Sequence, residues 1–161
     1  MNLKNAIAAG MVLQLAAATG ATQDTDQEPT FTPTSPELEM REQPVAEEDL
    51  QILVRADEIL IDDTVWNRED DRNCKDDELA GRRSLFCALQ KACIEVLGAY
   101  DHRRVALQEV RFAIVDATDG REFAHRLRDY NNLPETQFDD VKRILVVARE
   151  KVSIRLADGQ N

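Results

Sequence analysis

Between Leu50 and Val152 the apolar residues return every three or four positions, and almost nothing in this stretch alternates. That spacing places them on single faces of helices and leaves no material for a half-buried strand. The first stripe holds Leu50, Leu53, Val54, Leu60 and Ile61, behind the acids Glu47–Asp49 that suit a helix N-terminus. A second helix is expected from Glu78 to Tyr100, striped by Leu85, Leu89, Cys93 and Val96. A third runs over His102–Ala117, with Ala106, Val110, Ala113 and Ile114 on one face. A capping box at Asp119–Glu122 predicts a short fourth helix striped by Phe123, Leu127 and Tyr130. Pro134 breaks the pattern, and Thr136–Asp139 predicts the cap of a last helix with Phe138, Val141, Leu145, Ala148 and Val152. The expected fold is all-α, a compact bundle of about five helices behind a disordered N-terminal segment.

Three segments follow. Residues 49–161 are the helical domain. Residues 23–48 form an acidic linker with four prolines, too poor in apolar surface to offset its ordering entropy. Residues 1–22 carry one early lysine, an uncharged apolar stretch and small residues near Ala16–Ala21, the layout of a signal peptide, with an alanine-rich arm as the alternative. The first reading places the protein in the periplasm or outside the cell, the second in the cytoplasm. The stretch is too short and too rich in Ala, Gly and Thr for a membrane span.

The net charge of −11 is unevenly spread. Residues 24–49 contribute −8, whereas residues 50–161 combine 22 acids with 18 interleaved bases. No basic stripe is available for a phosphate backbone, so nucleic acid is not an expected partner. An acidic chain instead suits a basic protein partner.

Chemistry-bearing residues are few. The stretch from Asp62 to Glu78 has eight acids, but read as a calcium loop from Asn67 it puts Arg72 in the glycine slot and Lys75 in a liganding slot. No metal and no cofactor is expected. Cys74, Cys87 and Cys93 lack CxxC spacing. They read as two buried thiols and a free loop thiol, with a bond from Cys74 to either of the others open after export. Cys87, His125 and Asn131 occur in the chain order of a cysteine-dependent hydrolase, which makes Cys87 with His125 the alternative functional reading. No glycine-rich turn offers an oxyanion hole. His102 opens a helix, and Arg121, Arg126 and Arg128 are partly balanced by Glu122 and Asp129.

The candidate binding site is Trp66, Tyr130, Asn131 and Asn132. Trp66 is the sole tryptophan and stands in a polar loop, where an indole folds back over the core. The two asparagines between two helices read first as a turn device, since asparagine tolerates positive φ and bonds nearby backbone.

The order of these features resembles an uncharacterised bacterial family of small helical domains. The matching pieces are ILVRADEIL followed by Trp66, the Cys87-Ala-Leu segment, and Tyr130-Asn131-Asn132 followed by Thr136, Val141 and Leu145. Two departures stand out: Gln90-Lys91 replace a Gly-Ala pair, and Asn132 replaces an aspartate. The resemblance implies the helical fold and no known activity. The expected function is protein–protein interaction without catalysis.

Overall fold

A computed structural model describes residues 43–159. The signal-like arm and most of the expected linker lie outside the described residues. Among the described residues there are six helices: α1 (Glu47–Ile59), α2 (Cys74–Leu79), α3 (Leu85–Leu97), α4 (Val105–Ala117), α5 (Arg126–Asn131) and α6 (Phe138–Ala157). A 3-10 turn occupies Asp63–Val65. Among the described residues there is no strand, only one bridge that pairs Trp66 with Arg83. The all-α expectation holds.

The core lies where α1 packs on α3 and α6, and α4 packs on α6. Leu53, Leu89, Leu107, Ile114 and Leu145 are fully enclosed there, and residues from all five expected stripes reach it. A buried carboxylate ties two helix starts together. Asp49 accepts from the Ala46 amide at 3.0 Å, closing α1, and from the Ala106 amide and Arg104 Nε at 3.1 Å each, fixing the first turn of α4. The Arg104 guanidinium supplies the positive charge that lets this carboxylate stay buried. Upstream, Val45 is buried in the core and the Gln43 carbonyl accepts from Arg155 Nη2 at 2.7 Å. The ordered fold therefore includes residues assigned above to the linker.

Three helix boundaries differ from the sequence reading. The expected second helix is two. After Leu79 the chain turns through Gly81 at φ +69°, and Ser84 restarts it by accepting from the Cys87 amide at 3.2 Å. A serine cap inside an apolar stripe is masked by the stripe's own periodicity. The Asp119–Glu122 box caps nothing. Asp119 and Gly120 both have positive φ and turn the chain out of α4, so α5 begins later, at Arg126. At α6 the capping residue is Gln137, whose amide donates to Asp140 at 3.0 Å. Thr136 instead sends its hydroxyl to the Tyr130 carbonyl at 2.8 Å. Gly98, at φ +78°, ends α3 in the left-handed conformation that costs a residue with a Cβ the most.

Candidate functional site

The loop from Leu60 to Ser84 carries most of the polar residues singled out in the sequence, and its shape is set from inside. Its carboxylates and amides first bend their own backbone. Asp62 accepts from the Thr64 amide, Asn67 from Glu69, Asp70 from Arg72 and Asp71 from Asn73, each two residues on. These are Asx turns, the reason so many Asp and Asn residues stand there. Asp77, buried, receives the Asn67 side-chain amide and the Ser84 backbone amide, the latter at 3.1 Å.

Asn131 then pins the loop to the bundle. Its side chain is fully buried at the C-terminal end of α5. Its oxygen accepts from Trp66 Nε1 at 2.8 Å and from the Leu85 amide at 3.0 Å. Its nitrogen donates to the Asn67 carbonyl at 3.0 Å and to the Asn132 side-chain oxygen at 3.1 Å. Next to it, Asn132 accepts from the Asp70 amide at 2.8 Å and donates to the Asp70 carbonyl at 2.9 Å, pairing with that residue as a strand would. Neither asparagine has positive φ. The turn reading of the pair is thus corrected: the chain needs them for contacts some sixty residues away, which no local spacing signals.

Trp66 covers the core as expected of a lone indole. It is half-buried, and its ring lies 6.0 Å from that of Phe138. Tyr130 faces another way. Its ring lines a cleft of about 340 Å³, closed by Thr118 and Asp119 after α4, by Leu133 and by Asp140 and Ile144 of α6. Burial pushes the Tyr130 hydroxyl up to about 12, with the Asp140 carboxylate adding to the rise and Arg143 opposing it. The four expected site residues accordingly divide. Trp66, Asn131 and Asn132 form one hydrogen-bonded clamp, and Tyr130 belongs to a separate concavity.

The cysteines are where the structure departs most from the sequence reading. Cys74, in the first turn of α2, is bonded to Cys87, in the first turn of α3, with the sulfurs 2.08 Å apart. Cys87 is therefore no nucleophile, since attack requires a free thiolate and this sulfur is bonded to that of Cys74. The pairing of Cys87 with His125 as a hydrolase falls with it. His125 lies instead beside Arg72, its Nε2 3.5 Å from a guanidinium nitrogen. Arg72 is held at φ +67° with its guanidinium 5.6 Å above the Phe86 ring. Cys93 is the free thiol, buried, and burial pushes its pKa up. Among the described residues no group of His, Cys, Asp and Glu side chains is arranged to hold a metal ion, and no helix is long and apolar enough to cross a membrane.

Two contributors were not foreseen. Asn67 and Asp77 complete the clamp, and the repeated Asn/Asp spacing of the loop is the one sequence signal that points to them.

Residues 44–151 match the model of a family of unknown function, DUF6197. The chain belongs to this family. The matched region begins beside Val45 and takes in α1 to α5 and most of α6, and it holds every residue of the buried core but Val152. The Trp66–Asn131 clamp and the Cys74–Cys87 bond both lie inside the DUF6197 match. Neither a curated protein nor a solved structure matches the chain.

Proposed function

We propose that the domain works by binding another protein, without catalysis, and that the partner's contact surface is basic. One observation carries this reading: the loop between α1 and α3 is fixed from inside and free outside. Its polar side chains are spent on Asx turns and on the Asn131 clamp, a disulfide staples its end, and the large apolar residues Ile61 and Leu79 remain 70% and 79% exposed beside it. Ordering this connection, which carries the 3-10 turn and α2, costs conformational entropy, and surface connections are where binding residues concentrate. Preorganisation removes that cost from the binding step. The carboxylates of residues 24–49, which hold most of the chain's charge of −11, would draw a basic partner to the chain.

The test compares full-length protein with an Ile61→Ser, Leu79→Ser double variant as baits in extracts of the native host. A partner held by the first and released by the second, and weakened by salt, supports the reading. Equal capture by both removes the loop from it. The disulfide further supports export, because such bonds persist in oxidising compartments. The intact mass of the native protein tests this: an exported chain lacks the N-terminal arm and is lighter by the two hydrogens of the disulfide.

A further inference from the structure

We propose that the cleft between the C-terminal end of α4 and the start of α6 binds an organic cation, a guanidinium or ammonium on a short carbon stem. The reasoning starts from which charges in the cleft are already compensated. Arg121 is held by Glu135 at 2.9 Å and Arg143 by Asp140 at 2.8 Å. Asp140 also accepts from the Gln137 amide, so the positive end of α6 is closed by its own side chain. What is left is negative. Asp119 is exposed and has no hydrogen-bond or ion-pair partner among the described residues, and α4 points its C-terminal end here, where Thr118 and Gly120 bond the Ile114 and Val115 carbonyls but no basic residue stands in the last turn. Both features favour a cation.

The floor of the cleft suits the same ligand. Tyr130 is 5% exposed, and its hydroxyl, which has no hydrogen-bond partner among the described residues, keeps access to solvent beside the cleft it lines. Burial and the Asp140 carboxylate keep the hydroxyl neutral at any physiological pH. It can accept a hydrogen bond from a bound N–H group. Leu133 and Ile144 supply apolar wall for the stem. A volume of about 340 Å³ accommodates such a molecule but not a larger folded ligand. An anion would have to break two existing ion pairs and meet Asp119, so the cleft selects against it.

The chemistry has two sources, a free small molecule or an arginine or lysine side chain of a protein, and the experiment separates them. The full chain, labelled with nitrogen-15, is titrated with agmatine and, separately, with a Gly-Arg-Gly peptide blocked at both ends; acetate is the anionic control. The expected result is a saturable shift of the Thr118, Thr136 and Ile144 amides with at least one cationic probe. Agmatine alone assigns the site to free small cations, the peptide alone to a protein side chain. Asp119→Asn should weaken binding about tenfold, the effect of one charge-assisted hydrogen bond. This variant keeps the fold, because asparagine accepts the φ of +51° found at that position. Tyr130→Phe, which preserves the ring packing, should weaken binding less. The proposal is overturned if neither cation produces a saturable shift, if Asp119→Asn binds as tightly as the parent, or if acetate binds more tightly than the cations.

Discussion

The indole N–H of Trp66 donates to the side-chain oxygen of Asn131 across 2.8 Å and 65 positions of sequence. This one contact joins the loop after α1 to the end of α5, and around it every hydrogen-bonding atom of the buried amide finds a partner in the chain. Alanine at position 131 would strand the Trp66 and Leu85 N–H groups and the Asn67 carbonyl together. The expected cost is about 3 kcal/mol, from several buried groups left unsatisfied at once. Asn131→Gly should cost at least as much, since the backbone there is helical and gains nothing from glycine. Urea unfolding followed by Trp66 fluorescence measures both. If glycine is tolerated and alanine is not, the residue is a turn device after all.

Reduction of the Cys74–Cys87 bond should lower stability by about 3 kcal/mol, the chain-entropy value for a loop of this length. Before reduction, an alkylating reagent should find only Cys93, and slowly, because burial raises its pKa and shields it. After reduction the half-buried Cys74 should react ahead of Cys87, which is 1% exposed. Intact-mass spectra at timed intervals follow all three sites. Rapid labelling of two thiols in the untreated protein would contradict the bond.

Asp70 gives the domain a specific pH response. Burial raises its pKa, with Asp77 and Asp71 adding to the rise while the Arg72 amide and the Ser84 hydroxyl oppose it. A carboxyl whose folded pKa lies above its unfolded value holds its proton more tightly in the folded state. Its contribution is therefore favourable at low pH and is lost as pH rises through the carboxylate range. Asp70→Asn keeps an oxygen for the Arg72 amide and removes the buried charge. It should raise the urea midpoint at neutral pH, and the gain should shrink as the medium is acidified. A gain that stays constant with pH would show that charge is not its cause.

Removing residues 1–42 should leave the melting temperature unchanged, whereas removing residues 1–46 should not. The longer deletion takes away Val45, 2% exposed, whose burial contributes about 2 kcal/mol, and the Gln43 carbonyl that Arg155 holds. It also removes the Ala46 amide from Asp49. Thermal unfolding of the two truncations by circular dichroism decides the point. Equal melting temperatures would mean that the N-terminal cap of α1 contributes nothing.

The sequence by itself determined the all-α class and the residues of the core. Leu53, Leu89, Val110, Leu127 and Leu145 were legible because burial of a helix face imposes a period that any single segment displays, whatever its neighbours are. Pro134 marked a break for an equally local reason. Only the tertiary structure decided what the polar residues do. Two adjacent asparagines read as a turn because a turn is the one local use for them, yet their partners, Trp66, Asn67, Asp70 and Leu85, lie beyond the reach of any periodic signal. Cys74 found Cys87 because the break at Gly81 folds α2 back toward the first turn of α3, and a single continuous helix would have kept the two sulfurs apart. Apolar residues announce a face, since any apolar neighbour satisfies them. Polar residues are satisfied by particular atoms at particular distances, and which atoms arrive there is settled when the helices pack.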